Sequence, residues 1–484
     1  MGSGKGSENP ESKTEIEMRE DRGKIDYKEE NEEENEEENE EENRAKIRLA
    51  GKAGVEEGKG REKEERGEIK GETLLARGVY WVGAIDWNGR DFHGYTTPEG
   101  TTYNSYLVVG EKTALIDTVK ASHAEEMLAR IRKVMDPSKL DYLVINHMEK
   151  DHSGALVEFL QKTGAKPKLF ITKRGRDIAE GYYGASCEPW DFEIVRTGDE
   201  LKLGGKTLLF LEATMLHWPD SMETYLKEDE ILFSNDAFGQ HIASSARYDY
   251  EIRDVMPETT EYYANILMPF GLPVQRHLDK LEKLGLPLRQ IAPSHGIIWK
   301  RDIEKVLGAY ASWAKGEVKE KVLVIYDTMW QSTELMAKEI LEGGRREGVE
   351  VKLLHLRKNS RSRIMKEVLD SAAFAVGSPT LNNNLFPTLG DFLAYLKGLR
   401  PVNKTAAAFG SYGWGGGAVK AIETELKNAG VEVLEPGLQV KYRPDEAELK
   451  ECRELGKKLA EIAKTGAKGQ APKKADFSIQ AGYQ

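Results

Sequence analysis

"INHMEKDHSG", residues 145–154, places His147, Glu149, Asp151 and His152 within six positions. That density of imidazole and carboxylate is hard to obtain from core packing. The segment closes the short apolar run LDYLVIN (140–146), which reads as a strand. Side chains two apart on an extended chain share a face. His147, Glu149 and Asp151 are therefore expected to project together, with His152 turned away unless the chain bends. Three more ligand-type residues close later apolar runs: His217 after KTLLFLEATML, Asp236 after EILFSN, and His295 after RQIAPS. Ligands converge at strand ends in α/β folds. The combined set exceeds what one four-coordinate zinc takes and suits two metals bridged by a carboxylate. Asp236, between the two isolated histidines in the chain, is the best-placed bridge. Hydrolase versions of such a turn commonly carry His where Glu149 stands. A glutamate there adds negative charge and a harder oxygen donor, which favours iron or manganese over redox-inert zinc. The other five of the nine histidines, His93, His123, His241, His277 and His355, read as packed or surface residues.

Around this turn the pattern is that of an α/β sandwich. GVYWVGAID (78–86), TTYNSYLVVG (101–110), KTALIDTV (112–119), KLFIT (168–172), KTLLFLEAT (206–214), EILFSND (230–236) and RQIAPS (289–294) read as strand regions. HAEEMLARIRKVM (123–135) and SGALVEFLQKTG (153–164) have helical spacing. AYASWAKGEVKEK (309–321) reads as a connector. Beyond it the rhythm becomes a regular β-α-β alternation. Continuous apolar strands are expected at 321–327, 349–356, 372–378, 404–411 and 431–442. Such strands belong in a parallel sheet covered on both faces.

That second half carries three loops. In YDTMWQSTELMA (326–337), Thr328, Met329, Trp330, Gln331, Ser332 and Thr333 lie between a strand and a helix. Their hydroxyls and backbone N–H groups would hold a terminal phosphate at the helix start; the alternative is ordinary helix capping by Ser332. GSPTLNNN (377–384) supplies Ser378, Pro379, Thr380, Leu381 and Asn382. FGSYGWGGGA (409–418) supplies Ser411, Tyr412, Gly413, Trp414 and Gly415. In a doubly wound sheet of order 2-1-3-4-5 all three loops fall on one edge, where FMN would sit at the switch point. Trp330, Tyr412 or Trp414 would stack on its ring.

The chain is 484 residues long and carries a net charge of −12, most of it within residues 1–70. The repeat EENEEENEEENEEEN (29–43) has no apolar residue, so residues 1–71 read as a disordered acidic tail. The acidic balance argues against nucleic-acid partners. Cys187 and Cys452 form no CxxC pair, which excludes a built-in four-cysteine metal module. No apolar run approaches membrane-spanning length and no signal-peptide core opens the chain, so a cytoplasmic protein without membrane contact is expected.

HMEKDH, LHWPDSM (216–222), SNDAFGQH (234–241) and the three loops together resemble the flavodiiron proteins (A-type flavoproteins) over residues 72–465. The resemblance implies a metallo-β-lactamase-like αββα sandwich at 72–318, a flavodoxin-like FMN domain at 319–465, and a C-terminal tail at 466–484. It implies a non-haem diiron centre of two Fe. His147, Glu149 and His217 would serve one iron, Asp151, His152 and His295 the other, with Asp236 bridging. It further implies electron transfer from FMN to the irons, reducing O2 to water or NO to N2O. A head-to-tail homodimer or homotetramer is expected. So is an external electron donor, either rubredoxin or a reduced deazaflavin coenzyme. The alternative is a zinc-dependent hydrolase of the metallo-β-lactamase type fused to a flavodoxin-like domain.

Overall fold

Runs of β-branched and aromatic residues form the strands, and their period-two alternation decides which face meets which layer. The computed structural model describes residues 73–467. One sheet has the spatial order Thr73–Ala76, Val79–Trp81, Tyr106–Val109, Thr113–Ile116, Tyr142–Val144, Lys168–Ile171 and Asp191–Ile194. The first four strands pair antiparallel, and from Thr113–Ile116 onward the pairing is parallel. A second sheet has the order Glu200–Lys202, Thr207–Glu212, Met222–Leu226, Ile231–Asn235 and Gln290–Pro293. Only its last pair is parallel.

Alternation builds the layers. Tyr106, Val108, Ala114 and Ile116 face inward and meet Leu208, Phe210, Ile231 and Phe233 of the second sheet. Leu107 and Leu115, one residue out of step, face outward onto Met127, Leu128 and Ile131 of helix Ala124–Val134 and Phe159 of helix Leu156–Thr163. The other outer face, with Leu211, Tyr225 and Leu232, is covered by Leu281 of helix Gly271–Leu284. The result is the expected αββα sandwich.

The third sheet has the order Glu350–His355, Lys319–Tyr326, Ser371–Pro379, Thr405–Tyr412 and Glu432–Lys441. All its pairs are parallel, which is the expected 2-1-3-4-5 arrangement. Leu323, Ile325, Phe374 and Val376 pack on one side, against helices Arg361–Asp370, Pro387–Leu399 and Ala418–Asn428. Val322, Val324, Ala373 and Ala375 pack on the other, against helices Ser332–Arg346 and Glu446–Gly466.

Two local expectations change. The connector 309–321 is mostly regular structure: helix Ile303–Lys315 runs through its first half, and strand Lys319–Tyr326 begins in its second. Val306, Tyr310 and Ala314 recur at helical spacing and are buried, and Gly316 ends the helix in the left-handed conformation (φ 71°). The regions 78–86 and 101–110 each divide into two strands, Val79–Trp81 with Ala84–Asp86 and Thr101–Tyr103 with Tyr106–Val109. The acidic segment 1–71 and the C-terminal tail beyond residue 467 lie outside the described residues. Among the described residues, no helix is long and apolar enough to cross a membrane.

Helices Ser332–Arg346 and Glu446–Gly466 approach so closely that a Cβ on Gly456 would lie 1.9 Å from the Ile340 carbonyl oxygen. Gly456→Ala is expected to wedge these helices apart at a cost of about 1–3 kcal/mol. A lowered urea midpoint, followed by flavin-domain fluorescence, would show it.

Candidate metal centre and flavin cradle

The chain bends immediately after Glu149. Glu149 is the last extended residue (φ −59°, ψ 150°), and Lys150–Ser153 form a single helical turn. The His152 and Ser153 N–H groups both donate to the Glu149 carbonyl, at 3.0 and 2.8 Å. The Thr118 N–H pins the turn to the end of strand Thr113–Ile116 by donating to the His152 carbonyl at 2.8 Å. The expectation that His147, Glu149 and Asp151 share one face is therefore corrected. His147 and Glu149 look toward one group of ligands, whereas Asp151 and His152, adjacent on the turn, look toward the other.

The second sheet supplies the rest from three strand ends. His217 lies in the loop after Thr207–Glu212, Asp236 directly follows Ile231–Asn235, and His295 lies just beyond Gln290–Pro293. Glu149 Oε2 is 3.2 Å from His147 Nε2 and 3.3 Å from His217 Nε2, and Asp236 Oδ2 is 3.4 Å from His217 Nε2. On the other side, Asp151 Oδ2 is 3.0 Å from His295 Nε2 and 3.3 Å from His152 Nε2. Asp236 Oδ1 is 3.1 Å from His152 Nε2 and 3.5 Å from His295 Nε2. His147, Glu149, His217 and Asp236 thus form one set able to hold a metal, and Asp151, His152 and His295 a second. Asp236 presents one oxygen to each.

Ring orientation is fixed from behind. His147 Nδ1 donates to Asp220, whose two carboxylate oxygens both lie 3.0 Å away. His295 Nδ1 donates to the Thr102 carbonyl at 2.7 Å. In each ring the Nδ1–H is committed, so the Nε2 lone pair points inward, as a metal ligand requires. Asp220 also accepts from the Met148 N–H at 2.8 Å, which ties the loop after His217 to the quoted turn.

The residues fit a metal pair on two grounds. Both Asp151 carboxylate oxygens, Asp236 Oδ2 and both His152 ring nitrogens are buried without a hydrogen-bond partner. Orphaned buried groups of this kind are costly unless cations engage them. The charges also hold one another. Burial alone would discharge His152 and His217, but Asp151 and Asp236 act on the first, and Asp236 and Glu149 on the second. Both imidazoles are raised to about 9. Burial would raise Glu149, Asp151 and Asp236, yet the facing histidines keep all three below the ordinary carboxylate range.

Three residues at this site carry no local sequence signal for it. His93, assigned above to packing or surface, sits at a hairpin turn with φ 51° and places Nε2 2.9 Å from Glu149 Oε1. Asp220 lies inside LHWPDSM, but its role depends on where His147 arrives. The Tyr262 hydroxyl donates to Asp236 Oδ1 at 3.2 Å from an otherwise ordinary helix. The remaining histidines match their reading. His241 packs between the Tyr95 hydroxyl (2.7 Å) and Thr101 Oγ1 (2.8 Å), and His277 is buried 2.9 Å from Glu223. His355 stacks on Tyr326 and His123 lies against Tyr103.

The flavin loops meet on one edge of the third sheet. Thr328, Met329, Trp330 and Gln331 follow strand Lys319–Tyr326, and Ser332 and Thr333 open helix Ser332–Arg346. Ser332 does not cap that helix. The N-cap is Gln331 in the left-handed conformation (φ 70°), with no side-chain cap, so the first-turn N–H groups remain available to an anion. Thr328 Oγ1 is buried without a partner, which also suits a ligand oxygen. Thr333 Oγ1 lies 2.9 Å from Ser411 Oγ, and the Thr380 N–H donates to the Ser411 carbonyl at 2.8 Å, joining the three loops. Ser378 and Pro379 end strand Ser371–Pro379, with Leu381 and Asn382 in the turn beyond. Tyr412 ends strand Thr405–Tyr412, and Gly413, Trp414 and Gly415 follow it. Trp330 and Trp414 are 85% and 94% exposed, an unusual state for rings of this size unless a ligand or partner covers them.

Fold and site together define a dinuclear-metal sandwich joined to a flavodoxin-like sheet. Comparison with known proteins agrees. Residues 324–456 match the family model described as flavodoxin, and residues 101–296 match that described as ODP family beta lactamase. The chain is 48% identical over 393 residues to the nitric oxide reductase of Moorella thermoacetica, covering 80% of this chain and 98% of that protein. A Methanothermobacter marburgensis enzyme, named as the oxidase of a reduced deazaflavin coenzyme, is 44% identical over 397 residues, covering 80% of this chain and 97% of that protein. Among solved structures the chain resembles the rubredoxin oxygen:oxidoreductase of Desulfovibrio gigas (TM-score 0.79, 40% identity, 82% of this chain and 100% of that one). It equally resembles the flavodiiron protein of Giardia intestinalis (TM-score 0.79, 36% identity, 83% and 99%). The chain belongs to the flavodiiron protein family. FMN and a pair of non-haem irons are the cofactors of that architecture, and the residues described here fit both.

The raised histidines make stability depend on pH. A group whose folded pKa is raised stabilises fully below its unfolded pKa and loses that contribution as pH rises through the folded value. The iron-depleted protein is therefore expected to lose melting temperature from about pH 6.5 to about pH 9, as His152 and His217 deprotonate. Iron loading should flatten this slope, because the metal replaces the protons. Paired melting curves across that range check both statements.

Proposed function

We propose that the chain is an oxidoreductase that reduces O2 to water, NO to N2O, or both. One observation carries this reading: Asp236 divides its two oxygens between two ligand groups, each containing a further carboxylate. A donor set this rich in oxygen holds redox-active irons in preference to zinc. The names of the relatives support the same chemistry, and they set the zinc-hydrolase alternative aside. On this reading His147, Glu149 and His217 hold one iron, Asp151, His152 and His295 the other, and Asp236 bridges them. When bound, the iron pair takes up the diatomic and reduces it with electrons relayed by FMN.

The chain's own residues do the rest. Asp220 and the Thr102 carbonyl hold the His147 and His295 rings with Nε2 inward. The Tyr262 hydroxyl keeps a proton at Asp236 Oδ1, and His93 occupies the outer oxygen of Glu149. Burial of His147, Asp151, His152, Asp236 and His295 keeps bulk water from the ligand atoms. On the flavodoxin-like side, the uncapped helix start and Thr328, Ser332 and Thr333 take the FMN phosphate. The loops at Ser378, Pro379, Thr380, Leu381 and Asn382, and at Ser411, Tyr412, Gly413, Trp414 and Gly415, take its ring.

Both cysteines are buried, and neither belongs to a CxxC pair, so the electrons come from an external donor. Rubredoxin or a reduced deazaflavin coenzyme is the proposed donor, on the precedent of the relatives' names. We place the protein in the cytoplasm as a head-to-tail homodimer or homotetramer. In that arrangement the partner covers the exposed Trp330 and Trp414. The domain division falls at 318/319, where strand Lys319–Tyr326 begins.

Anaerobic addition of O2 or NO to chemically reduced, iron-analysed protein tests the reading. Consumption of at least one gas is expected, and consumption of neither by protein holding two irons and FMN would refute it. Glu149→Ala should lower iron content and abolish gas reduction while the yellow chromophore remains. Ser332→Ala combined with Thr333→Ala should release FMN and leave iron in place.

A further inference from the structure

The metal centre is gripped from outside the sandwich. Helix Arg361–Asp370, which lies after the second strand of the flavodoxin-like domain, touches two segments that each end on a candidate iron ligand. The first is the hairpin of strands Asp91–Phe92 and Tyr95–Thr96, with His93 at its turn. Arg361 Nη2 donates to the Gly94 carbonyl at 2.6 Å, and the Thr96 N–H donates to Ser362 Oγ at 3.0 Å. These two contacts straddle Tyr95. Arg361 is itself held by Asp391 and by the Tyr395 ring, 5.0 Å from its guanidinium carbon. From inside, Phe92 packs on His241 and His295. A hairpin of two-residue strands has little stability of its own, so tertiary contacts decide where His93 sits.

The second segment is the helical stretch around Tyr262. It widens into a π-helical turn at Tyr263–Leu267, a distortion common beside functional groups. Asn265 within this turn donates to the Ser362 carbonyl at 3.1 Å and accepts from the Tyr395 hydroxyl at 2.8 Å. Tyr262 precedes the turn and reaches Asp236 Oδ1. One helix end thus sets the partner of Glu149 Oε1 on one side and the partner of Asp236 Oδ1 on the other.

We propose that Arg361 and Ser362 are positioning residues for the metal centre. Through them, the flavodoxin-like domain of a chain fixes the groups hydrogen-bonded to the irons' carboxylate ligands in that same chain. This rests on the reading of Glu149 and Asp236 as iron ligands. The flavin domain then has a second role, distinct from holding FMN: it is a structural part of the metal site's surroundings.

The test uses the full-length protein loaded with FMN and iron. Arg361→Ala combined with Ser362→Ala should retain FMN and two irons. The Mössbauer parameters and midpoint potential of its iron pair should move in the direction seen for His93→Ala. Its kcat for the gas should fall about tenfold with KM unchanged. Arg361→Lys should restore the wild-type spectrum, because an ammonium still donates to the Gly94 carbonyl. A wild-type spectrum and potential in the double variant would overturn the proposal, whatever its turnover. Should the double variant fail to hold FMN, single Arg361→Ala is read by the same criteria. Wild-type protein with no dinuclear iron signal would instead refute the metal assignment, and that measurement precedes the variants.

Discussion

Everything at this centre depends on one carboxylate that faces two ways. Asp236 is buried, and its two oxygens are aimed at different trios of side chains. A buried carboxylate needs compensating charge on each oxygen, and here the nearest atoms on both sides are imidazole Nε2 atoms. With the Nδ1–H of His147 and His295 committed to Asp220 and the Thr102 carbonyl, those rings present lone pairs. Lone pairs facing carboxylate oxygens at about 3–3.5 Å are tolerable only with protons or cations between them. Metal-free protein answers with protons, as the raised histidines show, and loaded protein with two metals. The same geometry explains why the ligands come from two sheets. Only the facing strand ends of a sandwich can surround one aspartate from both sides.

The flavodoxin-like half follows a different logic. Its strands are buried on both faces, so its polar loops collect where the strands end. There the exposed edge, the uncapped helix start and the unpartnered Thr328 hydroxyl meet. Glycine at close approaches, such as Gly456 against Ile340, lets the outer helices sit tightly enough to hold that edge in register. The helix at Arg361 connects this half to the metal-binding half. The two domains are therefore mechanically joined at the same residues that surround the irons' carboxylate ligands.

Much of this was legible in the chain of letters. The ligand types, their position at the ends of apolar runs, and the change from mixed to regular β-α-β rhythm follow from local chemistry. So do the three loops of the flavin cradle. The local patterns that period-two reasoning missed were breaks in regularity: the helical turn at Lys150–Ser153 and the split strands at 78–86 and 101–110. The helix in 309–315 was missed because its apolar spacing begins upstream, at Ile303.

By itself the sequence determined which atoms could bind metal and flavin, because residue type and strand-end position are local properties. It could not show that His93, Asp220 and Tyr262 belong to the centre, nor that Arg361 and Ser362 reach around to hold two of them. Those contacts join residues 56, 73, 26 and 267 positions apart, for Glu149 with His93, His147 with Asp220, Asp236 with Tyr262, and Gly94 with Arg361. Each partner looks ordinary alone, and its meaning is a distance that exists only once the two sheets and the flavin domain have packed.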